Sequence, residues 1–269
     1  KVTLVVSGLN QSLSGPATTG GEIESSLQIQ YENITIEDHR YKQALHSVDF
    51  IKRHAAKPFF LYFAEVMPHK PLAASEKHYQ KSGAGLYGDV LMDLDESVGR
   101  VLDALKEAGV ENDTLVFFTS DNGAWFGGSC GGLRGMKGTN WEGAYRVPML
   151  ARWPGKIPAG QVIHEMAVMM DLFTTATVAA GATVPDARIL DGKDMMPVLA
   201  GRGASPHEVI FGQQNSKLAT VRDARWKLHV LASRGMESRT DILECRGGFV
   251  RADPVRRRCE LRCAREASA

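Results

Sequence analysis

The sequence lacks several features that would place it in a class of protein at once. Lys and Arg total 32 against 31 Asp and Glu, so the net charge of +1 gives no overall field for nucleic acid or an anionic membrane surface. No apolar run approaches the ~20 residues of a membrane span. The four cysteines form no CxxC pair, so they indicate neither a zinc site nor a disulfide framework. Any recognition of an anion must therefore be local.

A signal-peptide pattern is also absent from the first residues, KVTLVVSGLNQSLSG, which predict the interior of a longer protein. The 269 residues, 43% of them hydrophobic, are enough for one large α/β domain or two smaller ones. Residues 1–34 are rich in Ser, Gly and Thr. We interpret them as an irregular remnant of a truncated N-terminal region, with loops and one or two frayed strands.

Hydrophobic periodicity predicts an α/β core over residues 35–205. A helical stripe runs from Thr35 to about Ala56, and the continuous apolar segment Phe59–Val66 predicts a central strand covered on both faces. A second stripe, Leu86–Ala108, predicts a helix that ends at a glycine, and Thr114–Ser120 predicts another buried strand. Functional residues of such sheets gather at the carboxyl ends of the strands.

The downstream part predicts further short elements. VPMLARW is expected to form a strand, and IHEMAVMMDLFTTATVAAG a short strand followed by a helix capped by Asp171 or Thr174. Residues 206–232 predict a small antiparallel piece, with the strand VIFGQ and a hairpin that turns near Asp223.

The last stretch, residues 233–269, differs in composition from the rest. No Lys follows Lys227, whereas nine Arg lie from Arg234 onward. An Arg-rich tail suits an anionic partner, but a disordered end or an out-of-frame translation fits equally well, and we favour these two.

Asp121 and Asn122 directly follow the second buried strand and precede Gly123. Adjacent carboxylate and amide oxygens at a strand end suit a hard cation. The same pair also suits a strand-to-loop turn in which both side chains cap backbone amides. The dipeptide alone leaves both interpretations open.

A glycine-rich passage follows and carries Lys137. Glycine lets the backbone approach a ligand closely and present N–H groups to an anion, and the lysine adds a point charge. Such loops are also often merely flexible, so the passage alone is a weak signal. Its glycines stand at positions 127, 128, 131, 132, 135 and 138.

Three separated segments in a fixed order resemble one family. They are KPFFLYFAEVMPHKPL, LYGDVLMDLDESVGRVLDALKEAGVENDTLVFFTSDNG and GLRGMKGTNWEGAYRVPMLARWPGKIPAG. From about Thr35 to Val230, the chain is similar to the formylglycine-dependent arylsulfatases of the alkaline-phosphatase-like superfamily. The resemblance implies an α/β fold: a mixed, mostly parallel sheet flanked by helices, truncated at the N-terminus, with a small antiparallel C-terminal piece.

The resemblance also implies roles for four side chains. Asp121 and Asn122 match a pair that binds a divalent cation, usually calcium (Ca²⁺). Lys137 matches the lysine that contacts the sulfate group. His69, in MPHKP, matches a histidine that contacts the sulfate and assists the leaving oxygen, although a plain loop histidine is the alternative. Lys137 and His69 are therefore the candidate catalytic and substrate-binding residues.

The family's nucleophile is missing from the sequence. Formylglycine arises from Cys-x-Pro/Ala-x-Arg, and no cysteine here begins that motif; Cys130, in CGGLR, is expected to be a loop cysteine. The family carries the motif far upstream of the PFFLYF strand, so we expect formylglycine and the acidic metal ligands in a missing N-terminal part. The chain as given is then expected to be inactive.

The segment that carries Lys137 also holds one acidic, one basic and two aromatic side chains of interest. Glu142, in NWEGAYRVP, is expected to brace the lysine loop. Trp125, Trp141 and Arg134 either line a substrate pocket or simply pack.

The function implied by the resemblance is sulfuric ester hydrolysis, on an aryl or carbohydrate sulfate. The alternatives are a non-catalytic pseudoenzyme that binds sulfated glycans or other anions, and a phosphodiesterase of the same superfamily. The expected partner is a sulfated small molecule or sulfated carbohydrate, with no nucleic acid and no membrane span. Family members are commonly periplasmic, secreted or lysosomal, and neither the oligomeric state nor the compartment is indicated by the sequence.

Overall fold

The computed structural model of the chain describes residues 4–7, 36–125, 128–187, 189–230, 241–246 and 249–251. The chain divides into two compact units. The first comprises Lys1–Asp121, Pro148–Ile163 and Met169–Gly203, and the second comprises Asn122–Val147, His164–Val168 and Ala204–Ala269. The domain boundaries predicted at residues 34, 205 and 232 stay predictions.

Helices, strands and one 3₁₀ turn alternate along the described residues. In the first unit they are β1 (Leu4–Ser7), α1 (Ile36–His54), β2 (Leu61–Phe63), α2 (Gly85–Glu107), the 3₁₀ turn Glu111–Asp113, β3 (Leu115–Thr119), β4 (Met149–Arg152), α4 (Asp171–Ala179) and α5 (Met196–Leu199). In the second unit they are α3 (Glu142–Tyr145), β5 (Ile210–Gln214), β6 (Lys217–Arg222), β7 (Trp226–His229), β8 (Asp241–Arg246) and β9 (Phe249–Arg251).

The sheet of the first unit has the strand order β2-β1-β3-β4. β1 pairs in parallel with both β2 and β3, whereas β4 runs antiparallel to β3. The expectation of a mixed, mostly parallel sheet is therefore confirmed.

The position predicted for the PFFLYF strand is wrong. Among the described strands, β2 is a short edge strand, and Phe60 and Tyr62 are 59% and 43% exposed. β1, from the stretch that the sequence suggested was irregular, takes the interior position between β2 and β3. A four-residue segment carries too little pattern to predict this, because its pairing with β3 is decided by tertiary contacts.

Helices cover both faces of β3, since successive side chains of a strand point to opposite sides. Val116 belongs to a core cluster with Ile51 of α1 and Leu105 of α2. Leu115 and Phe117 belong to a second cluster, built with residues of α4 and α5. The flanking helices implied by the resemblance are thus present.

The predicted end of α2 is also correct. The helix ends at Glu107, and Gly109 follows with a φ of +67°. Glycine adopts this left-handed conformation without the steric cost that a Cβ would impose.

The start of α4 differs from the prediction. Residues 163–170 form no strand, and the helix begins at Asp171, whose carboxylate accepts the Lys193 N–H at 2.8 Å. The Thr174 hydroxyl donates to the Gly192 carbonyl at 3.0 Å. Neither side chain caps the helix, because each bonds instead to the segment 192–193.

The five described strands of the second unit form an antiparallel sheet in the order β5-β6-β7-β8-β9. The predicted hairpin is confirmed as β6 and β7, and the Asp223 carboxylate accepts the Arg225 N–H at 2.7 Å in its turn. β8 and β9 lie inside the Arg-rich stretch, where we favoured disorder or a frame error. The rest of that stretch falls outside the described residues.

Among the described helices, none combines the length and apolarity required to cross a membrane.

Candidate active site

Asp121 and Asn122 lie at the carboxyl end of β3, as predicted, and both are half-buried. The Asn122 Nδ2 donates to the Gly123 carbonyl oxygen at 3.0 Å. This contact uses the amide nitrogen, so Oδ1 is the atom of Asn122 suited to a cation.

The two side chains fit only part of a calcium shell. Calcium takes six to eight oxygen ligands, and a carboxylate and an amide oxygen are of the right chemical kind. Within the described ranges, no group of three or more His, Cys, Asp or Glu side chains is placed to hold a metal ion. The assignment of Asp121 and Asn122 as metal ligands therefore stays a prediction.

The pKa of Tyr62 depends on the charge of Asp121, and both residues lie in the first unit. Burial, and after it the negative charge of Asp121, raises the pKa of the Tyr62 phenol above its usual value. In the second unit, burial raises the pKa of Tyr145. The pKa of Tyr62 therefore reports the charge at Asp121. The pKa of Tyr145, which burial alone raises, serves as the reference.

Lys137 is half-buried on the glycine-rich loop of the second unit. Its backbone N–H donates to the Ala124 carbonyl at 2.9 Å, two residues beyond Asn122. The Thr139 hydroxyl closes the turn, because it donates to the Met136 carbonyl at 2.9 Å and accepts the Met136 N–H at 3.3 Å. The structure thus brings Asn122 and Lys137 onto neighbouring backbone segments.

Three glycines allow these backbone segments to pack. A Cβ on Gly123 would lie 1.7 Å from the Gly143 carbonyl oxygen, and a Cβ on Gly143 would lie 2.5 Å from that of Gly135. Gly123 N–H donates to the Ala144 carbonyl and Gly143 N–H to the Arg134 carbonyl, both at 2.8 Å. Part of the glycine content is therefore required for packing, whatever the loop binds.

The aromatic residues near Lys137 differ in exposure. Trp141 is buried, and the guanidinium carbon of Arg134 lies 3.6 Å from the centroid of its ring. These two side chains pack on each other. Trp125 is 47% exposed, so of the two tryptophans it is the one accessible to a substrate.

Glu142 pairs with two cations of the β6–β7 hairpin, and its expected bracing of the lysine loop stays a prediction. It begins α3 and is 2% exposed; its Oε1 lies 2.8 Å from Lys227 Nζ and its Oε2 lies 3.3 Å from Arg222 Nε. Neither cation was predicted from the sequence. The alternation of Lys227 with Trp226 and Leu228 predicts an exposed lysine, whereas its position in β7 is buried.

His69 lies in the exposed loop after β2, in the first unit. Its Nδ1 is 2.8 Å from the Lys70 carbonyl oxygen. A carbonyl oxygen only accepts, so Nδ1 carries a proton. Nε2 is then an acceptor in the neutral ring and a donor in the imidazolium.

Comparison with known proteins identifies the family. The family model described as Sulfatase matches residues 26–182, more than half of the chain. The chain belongs to the sulfatase family. Human steryl-sulfatase is 40% identical over 205 residues, which cover 72% of this chain and 34% of that protein. Dog N-acetylgalactosamine-6-sulfatase is 41% identical over 191 residues, covering 68% of this chain and 36% of that protein.

Solved structures of sulfatases share the fold. The PsFucS1 sulfatase from Pseudoalteromonas sp. aligns with a TM-score of 0.69 and 30% identity, covering 75% of this chain and 43% of that one. Ps i-CgsB in complex with k-i-k-neocarrahexaose aligns with a TM-score of 0.65 and 30% identity, over 71% and 45% of the two chains. The alkaline-phosphatase-like α/β fold is thereby confirmed. The chain spans about a third of the length of these curated sulfatase relatives.

Proposed function

We propose that this chain is part of a sulfuric ester hydrolase. The observation that carries the proposal is the placement of Lys137 within a sulfatase fold. Its loop is fixed by a backbone hydrogen bond to Ala124, two residues after Asn122 of the oxygen-bearing pair Asp121 and Asn122. A cation and neighbouring oxygen ligands are what a site for a sulfate ester requires, because charge on the sulfate oxygens must be stabilised as the S–O bond breaks.

Each residue has a separate task in this proposal. The Lys137 ammonium would attract a non-bridging sulfate oxygen and orient the ester. Asp121 and Asn122 would hold a divalent cation, with further ligands from elsewhere. When bound, that cation supplies positive charge next to the sulfate.

His69 would protonate the departing alcohol or phenol oxygen. Because Nδ1 faces the Lys70 carbonyl, the proton must come from Nε2, so the imidazolium is the active form. A nucleophilic oxygen from elsewhere in the complete protein would bond to sulfur as the bond between sulfur and the leaving oxygen breaks, and the alcohol would leave with the proton from His69.

The substrate class proposed is an aryl or carbohydrate sulfate. It is supported by the relatives, whose names specify a steryl and an N-acetylgalactosamine-6 sulfate, and by the neighbour bound to neocarrahexaose. Trp125 offers an exposed aromatic face, which suits a flat apolar or sugar ring. A periplasmic, secreted or lysosomal location stays a prediction from the family.

The chain by itself is proposed to be inactive. Formylglycine requires a Cys-x-Pro/Ala-x-Arg motif, which none of its cysteines begins. Cys130 is a free thiol in the loop.

The test begins with the complete open reading frame that encodes this chain. Its product is assayed with a chromogenic aryl sulfate and calcium, beside Lys137→Met and the control Lys156→Met, which removes an exposed lysine. We expect turnover in the wild type and the control, and a loss of at least 100-fold in Lys137→Met. Equal activity in both variants would refute the role of Lys137.

The same assay separates the alternatives. Hydrolysis of an aryl phosphodiester in place of the sulfate would favour the phosphodiesterase. Binding of a sulfated glycan without turnover of any ester, and without a formylglycine motif in the complete frame, would favour the pseudoenzyme.

A further inference from the structure

A buried ion-pair network lies in the second unit, next to the lysine loop. Glu142 and Lys227 are each 2% exposed, and their charged atoms are 2.8 Å apart. The side chain of Arg222, 20% exposed, approaches the other carboxylate oxygen at 3.3 Å. The Lys227 ammonium also lies 4.8 Å from the centroid of the Tyr145 ring. One buried carboxylate thus receives a cation at each oxygen.

Such an arrangement fixes the position of Glu142 closely. Charges removed from water are tolerated only in geometries that pair them, and loss of one partner leaves an uncompensated buried charge. Both cations come from the hairpin β6–β7, which is distant from Glu142 in the sequence. Lys227 lies 85 residues after Glu142. The hairpin therefore sets where α3 begins.

α3 in turn holds both segments of the candidate site that lie in this unit. The Gly143 N–H donates to the Arg134 carbonyl, three residues before Lys137. The Ala144 carbonyl accepts the N–H of Gly123, the residue after Asn122. Gly123, Gly135 and Gly143 are packed so closely that a shift of α3 must move these backbones too.

We propose that Lys227 and Arg222 are positioning residues of the active site. They hold Glu142, and through α3 they fix the backbone that carries Lys137 and Asn122. The inference rests on the proposed function for the roles of Lys137 and Asn122. Both cations lie outside residues 26–182, the part matched by the family model, so the C-terminal sheet supplies a component that the family assignment does not include.

The first test measures amide hydrogen exchange in the full chain. The variants are Lys227→Met, its conservative partner Lys227→Arg, and the control Lys217→Met, which removes an exposed lysine from β6. In Lys227→Met we expect the protection of the Gly123, Lys137 and Gly143 amides to fall at least tenfold, and that of β6 amides less than threefold. Lys227→Arg should restore the loop amides to within threefold, and Lys217→Met should change neither set.

Two results would overturn the proposal. Equal loss of protection in the loop and in β6 would show a role in stability alone, and unchanged loop amides would show no coupling. If Lys227→Met does not fold, Arg222→Gln removes only the longer, partly exposed contact. It should give the same pattern with a smaller loss, about threefold, and a uniform loss would again refute the idea.

The second test uses the complete enzyme at a temperature where every variant is folded. Lys227→Met should lower kcat at least tenfold, Lys227→Arg should recover it to within threefold, and Lys217→Met should match the wild type. A full-rate Lys227→Met enzyme would contradict the positioning role. If the complete protein hydrolyses no sulfate ester, the proposed function fails, while the exchange experiment still decides this inference.

Discussion

Replacing Gly123 by Ala tests whether close backbone packing holds the candidate site. The added Cβ would lie 1.7 Å from the Gly143 carbonyl oxygen, whereas ordinary contacts begin at 3.4 Å, so the two backbones must separate by about 1.7 Å. The obstacle is the contact itself, since the φ of Gly123 is not among the left-handed values of the described residues. The separation would also break the hydrogen bond from Gly123 N–H to Ala144.

The cost can be estimated from these two effects. Overpacking costs about 1–3 kcal/mol, and loss of the backbone hydrogen bond adds about 1 kcal/mol, so we expect Gly123→Ala to destabilise the chain by roughly 2–4 kcal/mol. Gly99→Ala is the matched control: Gly99 lies within α2, and a Cβ there meets nothing within 4 Å. That change should stabilise the chain by about 0.5–1 kcal/mol, because alanine favours the helix.

Urea unfolding followed by tryptophan fluorescence gives the comparison. A loss of about 3 kcal/mol lowers the urea midpoint by roughly 1–2 M. Trp125 and Trp141, near the altered contact, report on the second unit. A midpoint for Gly123→Ala equal to the wild type, or a fall of the same size in Gly99→Ala, would refute the packing argument.

Two further predictions concern charge in the first unit. Hydrogen bonds from the Ser82 side chain, and from the backbone N–H groups of residues 80–82, lower the pKa of Asp89. The Asp89 carboxylate therefore contributes to stability above about pH 4, and this contribution is lost as the pH falls through the folded-state pKa. Asp89→Asn should therefore be less stable than the wild type at pH 7, and the difference in stability should narrow as the pH falls below about 4. A difference that stays constant with pH would contradict this. Asp121→Asn should lower the pKa of Tyr62 and leave that of Tyr145 unchanged, measured by NMR titration with each tyrosine resonance assigned, because of these two phenols the Asp121 charge raises the pKa of Tyr62 alone.

The sequence predicted the elements whose patterns are long and local. α2 has a continuous apolar stripe and a glycine at its end, and β3 is an uninterrupted apolar run, so both were placed within a residue or two. β1 was not predicted as an interior strand, because four residues show no period and its place depends on pairing with β2 and β3. The start of α4 was misjudged for a similar reason: Asp171 and Thr174 bond to a segment about twenty residues away rather than to their own helix.

In the candidate site, too, residues marked by a local sequence pattern were predicted, whereas residues placed by distant contacts were not. Asp121 and Lys137 became candidates because a strand end and a glycine-rich loop mark them in the sequence, and the family resemblance then implied their roles. The cations that pair with Glu142 carry no local mark, since a lysine in a hairpin ordinarily predicts a solvated side chain. Only the folded chain shows that Lys227 is buried against a carboxylate 85 residues away.

A loop without regular secondary structure needs other means to hold a charged side chain in place. Here the glycine-rich passage is fixed by backbone hydrogen bonds to Ala124 and Gly143, by glycine-to-glycine contacts, and by one buried ion pair behind α3. None of these contacts uses the Lys137 side chain, so the same backbone should persist when that side chain is removed. If Lys137→Met loses activity while the loop amides stay protected from exchange, the Lys137 side chain acts in the reaction itself. If Lys227→Met loses activity and its loop amides exchange faster, Lys227 acts by positioning the loop.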